Sequence, residues 1–411
     1  MSDRDDPELA FPLAVGTPSE PAPDLARLRA TRPVAPVRLP TGERAWLVTT
    51  YEDNLRVFSD RRFSRAAAAR PDSPRARNIP LDPDALTTMD PPDHTRLRRV
   101  LGGAFSPRRL DRLAGRVVRA TDRLLDGAAR EGRLEAVTGL AQPLALGTIG
   151  DLLGVPREDR DRFRTWTEDY LGMAPERAEA AAQAARSLDG YFAELAERRR
   201  AEAAGDTGGT GAEDVFSALA AAWYQGRLTG AELRSFATTL LVAGYETVAA
   251  QIAGSVVVLL RHPGPREALL DGDRLAAPVV EELLRFVPIA MTGGTLRVAV
   301  EDVELGGTVV KAGEAVLPST VSSNRDAEVF ARPDLFDPDR FADGREPARH
   351  IAFGHGPHRC LGAHLARLQL SVALGALLTR FPGLRAEEPL DELEWNTAKP
   401  IRCPRRLPVA W

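Results

Sequence analysis

The chain has 411 residues, a net charge of −4, and 44% hydrophobic against 27% charged residues. That balance is globular, with enough chain for a large core, and the near-neutral charge argues against nucleic acid as a partner. The two cysteines, Cys360 and Cys403, make no disulfide framework and fit a reducing cytoplasm.

Residues 1–20 start polar and acidic and read as a flexible tail, without the pattern of a secretion signal. Residues 21–411 are expected to form a single domain. Pro40-Thr41-Gly42 turns into a strand at Trp46–Thr49, followed by a helix at Tyr51–Ser59. Arg65 to Met89 is a long loop with room for one short helix. Asp90 suits a helix N-cap, with Pro91 at the first helical position. In that helix His94 and Arg98 are spaced i, i+4 and could clamp a carboxylate. Alternatively they join Arg96 and Arg99 in a solvated face. Helices are expected at Arg108–Gly132, Leu140–Leu153, Arg157–Leu171 and, mostly exposed, Glu176–Ala204, then a flexible loop at Gly205–Gly211.

Thr229 and Glu232 make a capping box for a helix running to about His262. From Phe236 to Leu260 its only charge is Glu246. A mid-span carboxylate is expensive in lipid, so this helix is expected to be buried in protein and not to cross a membrane. Within it lies Ala243-Gly244-Tyr245-Glu246-Thr247. Glycine inside a helix costs about 1 kcal/mol against alanine, and it leaves room for something large. Thr247 can bond back to the Ala243 carbonyl. A buried acid beside a hydroxyl is either a paired core glutamate or a proton relay into a pocket.

Next come a helix carrying Glu281, Glu282 and Arg285, short strands at Leu296–Val300, Thr308–Val310 and Ala315–Leu317, and an irregular stretch around Asp337–Phe341. A small hairpin is expected from Leu393 to Trp411. Between them Phe353-Gly354-His355-Gly356-Pro357-His358-Arg359-Cys360 is a glycine-rich loop. It delivers Cys360 to the start of an apolar helix that runs to near Phe381. A helix N-terminus favours a thiolate, and a thiolate suits a soft or redox-active metal. Four of the six histidines, His350, His355, His358 and His364, crowd this stretch. Zinc is therefore a rival, as is a buried structural cysteine.

Taken in order, Ala243-Gly244-x-Glu246-Thr247, Glu282-x-x-Arg285, Asp337-Pro338-x-Arg340-Phe341 and Phe353-Gly354-x-Gly356-x-His358-x-Cys360-Leu361-Gly362 resemble the cytochrome P450 superfamily of haem-thiolate monooxygenases, soluble bacterial type. The resemblance runs from about Trp46 to Trp411. Val248 departs from it, where the family often has a second hydroxyl. The resemblance implies a mainly α fold with a small β region, with haem b between a long central helix and a cysteine-bearing loop. Cys360 would be the axial thiolate of the iron, and Phe353 would shield its sulfur. Gly354 and Gly362 belong to the cofactor loop, and Gly354 and Gly356 would let its backbone approach the ring. His94, Arg98, Arg297 and His358 would hold the propionates, which moves His350, His355 and His364 to loop and helix-surface positions. Glu282, Arg285 and Arg340 would form a buried ion network.

The resemblance also implies that Ala243 and Gly244 leave room for dioxygen and substrate, while Glu246 and Thr247 guide protons. Val242, Ala290, Met291, Thr292, Ile401 and the Arg65–Met89 loop would wall the substrate. Electrons would come from a ferredoxin and its reductase, since no flavin or iron–sulfur motif is present. Arg359 with Arg99, Arg108, Arg109 and Arg367 is either a basic docking patch or ordinary surface arginine. The expected reaction is hydroxylation or epoxidation of a small natural-product-like molecule in secondary metabolism. Two alternatives stay open. One is the same haem chemistry used for C–C or C–N coupling; the other is a non-catalytic haem protein that binds or senses a ligand.

Overall fold

The long apolar run around Glu246 folds as one helix, Gly230–Arg261, and its first turn closes with the expected reciprocal bonds between Thr229 and Glu232. It is long and apolar enough to cross a membrane, but 78% of its most apolar window is buried inside protein, as in a core helix. The computed structural model describes all residues except 1–7, 14, 16–19, 77–80, 106, 173–174, 205–213, 263, 265, 291–294, 343–348 and 397–398. The chain forms two compact units, each assembled from separated stretches. One comprises Met1–Pro83, Thr87–Asp90 and Leu284–Cys360; the other comprises Asp84–Leu86, Pro91–Leu283 and Leu361–Trp411.

The second unit is mainly helical. Its core helix packs against Gln142–Leu153, Ala178–Ala204 and Ala363–Arg380, and the last of these also meets Pro107–Ala129. The expected Arg157–Leu171 helix is a short 3-10 turn, Arg157–Asp159, followed by Arg160–Tyr170. Ala178–Ala204 is exposed along much of its length, as expected, but it also carries a buried face. Ala181, Ala184, Leu188, Phe192 and Leu195 recur at helical spacing and are buried, an apolar stripe that the alanine-rich composition hides. Val215–Tyr224 is a further helix, capped by the Asp214 side chain, that the sequence pattern did not reveal. Gly205–Gly211 lies outside the described residues. At the C-terminus, Trp395 and Pro404 form the expected hairpin bridge. Pro408–Ala410 instead joins a three-stranded sheet with Arg385–Ala386 and Arg133–Glu135.

The first unit is built on a six-stranded sheet. Its strand order is Leu9–Ala10, Val34–Arg38, Arg44–Val48, Ala315–Pro318, Arg297–Ala299, Phe63–Ser64. Two expectations change here. The stretch read as a flexible tail contributes Leu9–Ala10 as an edge strand parallel to Val37–Arg38, and Phe11 and Leu13 are buried in the sheet's core. Their apolar side chains outweigh the polar start of the chain. Asp90 is also not the cap of the next helix, which runs Asp93–Ala104 after Pro92. Its carboxylate accepts from the Ser64 hydroxyl and from the backbone N–H groups of Arg65 and Ala66 (3.0 and 3.3 Å). It thereby steadies the short helix Arg65–Ala68, the one helix expected in that loop.

Candidate active site

In the first unit the cysteine loop is set by two left-handed glycines, Gly354 (φ +69°) and Gly356 (φ +67°). Gly354 N–H donates to the Ile351 carbonyl (2.9 Å), and the N–H of Cys360 returns to the Phe353 carbonyl (2.9 Å). This closure leaves Cys360 exposed, two residues before the Gly362 cap of the helix Ala363–Arg380. Glycine at 356 is also a steric requirement, because a Cβ there would lie 2.5 Å from the Phe58 carbonyl oxygen.

Phe58 joins the loop to a buried cation. Its ring lies 4.8 Å beneath the Arg297 guanidinium, which is 2% exposed and donates to the Thr295 carbonyl (3.1 Å). A second buried guanidinium, Arg65, donates to the carbonyls of Thr87 (2.7 Å) and Leu296. The two cations repel each other, and among the described residues no carboxylate lies within ion-pair distance of either. Burial therefore holds Arg297 down to about 9, with repulsion from Arg65 adding to it, and holds Arg65 down to about 10. Asp90 offsets part of this from a distance, but a buried charge without a close partner costs several kcal/mol, so this pair fits an anionic group supplied from outside the chain. A haem propionate is such a group.

An aromatic row supports Phe353. Tyr51, Phe330, Phe341, His350 and Phe353 stand at successive ring-centroid distances of 5.9, 6.5, 5.8 and 6.1 Å. His350 lies in a loop, as expected, and its ring is buried in this row. His355 and His364 are exposed as expected, and His358 is half-buried in the turn Gly356–His358. Among the described residues no three His, Cys, Asp or Glu side chains cluster for a metal, so the zinc reading has no ligand set there.

Around the arginines of the expected ion network, backbone carbonyls supply partners. Arg285 donates to the carbonyls of Asn324 and Pro333 (both 2.8 Å), and Arg340 to that of Ala331 (2.6 Å). Both also reach the Leu335 carbonyl. They act as clamps on the irregular backbone of 324–335. Glu282 is wholly buried on the helix Ala277–Phe286.

In the second unit the core helix has a window. Ala243 is exposed and Thr247, one turn on, is half-buried, whereas Tyr245, Glu246 and Val248 are buried. Thr247 donates its hydroxyl to the Ala243 carbonyl, as its position predicts. Gly244 is tight as well as permissive, since a Cβ there would meet Ile149 Cδ1 at 2.7 Å. Glu246 has a partner that the sequence did not point to, Lys399, whose Nζ lies 2.8 Å from Oε1. The one clue is composition: Lys311 and Lys399 are the only lysines among 54 basic residues.

On the helix Asp93–Ala104, His94 is buried and Arg98 half-buried, so they share an inward face. Arg96 pairs with Glu232, so it is not simply solvated. Val242 and Ile401 in this unit and Ala290 in the other are half-buried; Met291 and Thr292 lie outside the described residues. In the expected basic patch, Arg99 and Arg359 are exposed, but Arg367 is tied to Glu281 by a two-bond fork (2.5 and 2.7 Å).

A cysteine presented on a glycine loop and a buried pair of cations in one unit, and a core helix opened at a hydroxyl in the other, are compatible with a haem-thiolate protein. Comparison with known proteins agrees. The family model described as cytochrome P450 matches residues 274–402. Nocardicin C N-oxygenase from Nocardia uniformis subsp. tsuyamanensis is 45% identical over 95% of both chains. The mycinamicin IV hydroxylase/epoxidase of Micromonospora griseorubida is 42% identical over 93% of this chain and 94% of its own. The crystal structure of HinD with NMFT and NO superposes with a TM-score of 0.89 at 42% identity, covering 99% of this chain and 100% of that one.

The chain belongs to the cytochrome P450 family. Its cofactor is haem b, and it is a monooxygenase that hydroxylates or epoxidises small molecules in bacterial secondary metabolism, drawing electrons from redox partners.

Proposed function

We propose that Cys360 ligates the haem iron, that Phe353 covers its sulfur, and that Gly354, Gly356 and Gly362 shape the loop around it. Bound there, haem supplies the activation of dioxygen and the transfer of one oxygen atom to a C–H or C=C bond. Arg297, with His94, Arg98 and His358, holds the propionate carboxylates. The observation that carries this reading is the buried Arg65–Arg297 pair without an ion-paired carboxylate.

Ala243 and Gly244 keep a volume free over the helix window. Thr247 Oγ1 moves a proton toward dioxygen, and the Glu246 carboxylate reloads it. Substrate contact is assigned to Val242, Ala290, Met291, Thr292 and Ile401, and the carbon presented to the haem is the one oxidised. Arg285, Arg340 and Glu282 keep the framework rigid. Electrons come from a ferredoxin served by a reductase, docking on Arg359 and Arg99, and the enzyme works in the cytoplasm. The chain acts as one catalytic domain.

Thr247→Ala is the test. Proton supply by Thr247 predicts continued oxygen and reductant consumption, with product per reductant falling roughly tenfold or more. Unchanged coupling would remove Thr247 from the relay. A haem protein that only senses a ligand would show no product with either form.

A further inference from the structure

Glu246 is 9% exposed in its side chain and Lys399 16%. Lys399 stands two residues before Ile401, on a segment fastened by the Trp395–Pro404 bridge and by Asn396 N–H to the Cys403 carbonyl (2.8 Å). Of the titratable neighbours, Cys403 and Tyr245 bring no charge to the pair. Burial keeps the Cys403 thiol protonated, pushed up to about 12, and raises the Tyr245 hydroxyl as well. The Glu135 carboxylate is spent on the backbone N–H groups of Val137, Thr138 and Leu407.

The choice of lysine matters in a chain that otherwise uses arginine 52 times. Arginine holds a carboxylate through a rigid two-bond fork, as Arg367 holds Glu281. Lysine offers a point charge on a flexible stem, and here, among the described residues, its one contact is to Oε1. Such a contact can be exchanged for another anion without leaving the ammonium unpaired. The chain's other lysine, Lys311, pairs with Asp302 in solvent, where exchange has no consequence for a site.

We propose that Lys399 is a specificity-determining residue for an acidic group on the substrate. A carboxylate arriving beside Ile401 takes Lys399 from Glu246, and the released Glu246 side chain is then free to serve Thr247. One anion replaces another on the same ammonium, so proton supply becomes coupled to occupancy by an acidic substrate. This rests on Glu246 acting as the relay acid.

The test uses the haem-loaded enzyme and two probes, dodecanoate and methyl dodecanoate, with affinities measured by calorimetry. A buried charged contact predicts that the wild type prefers the acid by roughly tenfold or more. Lys399→Met should erase the preference while leaving the ester's affinity within about twofold, and Lys399→Arg, forked onto Glu246, should weaken it. Glu246→Gln should strengthen acid binding by removing the competitor, and this arm decides the matter without any change at Lys399. The inference is overturned if the wild type shows no preference, if the preference survives in Lys399→Met, or if Glu246→Gln fails to strengthen it. The carbon monoxide spectrum of the same wild-type sample separates the two levels. A normal thiolate band with no preference removes this inference alone, whereas a missing band removes the haem-thiolate reading beneath it.

Discussion

Gly354 and Gly356 have nearly the same left-handed backbone, yet alanine at the two positions should have different consequences. In that region alanine costs about 1–2 kcal/mol for its conformation alone. At Gly354 nothing lies within 4 Å of the added Cβ, so that is the whole cost. At Gly356 the Cβ would sit 2.5 Å from the Phe58 carbonyl oxygen and 3.1 Å from its carbon. Both atoms are backbone, so no side-chain rotation relieves the clash, and overpacking adds about 1–3 kcal/mol. Gly356→Ala should therefore lose roughly 2–5 kcal/mol in all. Because the ring of Phe58 supports Arg297, any shift also reaches the cation proposed to hold a propionate. Urea denaturation of both variants measures the first effect, and haem absorbance after gel filtration measures the second. Equal destabilisation, or equal haem retention, would refute the close approach of Phe58 as the reason for glycine.

Arg297→Met should act with opposite signs on two measurements. Removing an unpaired buried charge should stabilise the haem-free protein by about 1–4 kcal/mol, while haem transfer to an acceptor protein should become faster. A drop in both stability and haem retention would mean that Arg297 is chiefly a packing residue. A pH effect follows from Cys403, whose thiol burial pushes from 9.0 to about 12. Between those values the unfolded chain has lost a proton that the folded chain keeps. Stability therefore falls as pH rises through that window, with a limiting slope of about 1.4 kcal/mol per pH unit. Cys403→Ala should decline less steeply between pH 8 and 10 in denaturation midpoints; parallel declines would count against a buried protonated thiol.

Features with local chemical signatures were legible in the sequence. The Thr229–Glu232 capping box, the Thr247 back-bond to Ala243, the helix Tyr51–Ser59 and the glycine turn before Cys360 each depend on residues within a few positions of one another. The features that escaped are long-range pairings. Lys399 meets Glu246 across 153 positions, and Arg65 meets the Leu296 carbonyl across 231. Asp90 looks like a helix cap by its neighbours, but its carboxylate goes to a strand end 26 residues earlier. His350 sits in a loop, as expected, but the packing of its ring between Phe341 and Phe353 is not visible in its neighbours. Alanine-rich composition also concealed the buried stripe on the otherwise exposed helix Ala178–Ala204. The polar start of the chain similarly masked the strand at Leu9–Ala10.

Thiolate ligation by Cys360 is tested most directly by the absorption spectrum of the reduced, carbon monoxide-bound enzyme. The wild type should show the strongly red-shifted band of a haem with a thiolate ligand, and Cys360→Ser should lose that band. Its absence from the wild type, or its persistence in Cys360→Ser, would contradict the assignment of Cys360 as the iron ligand.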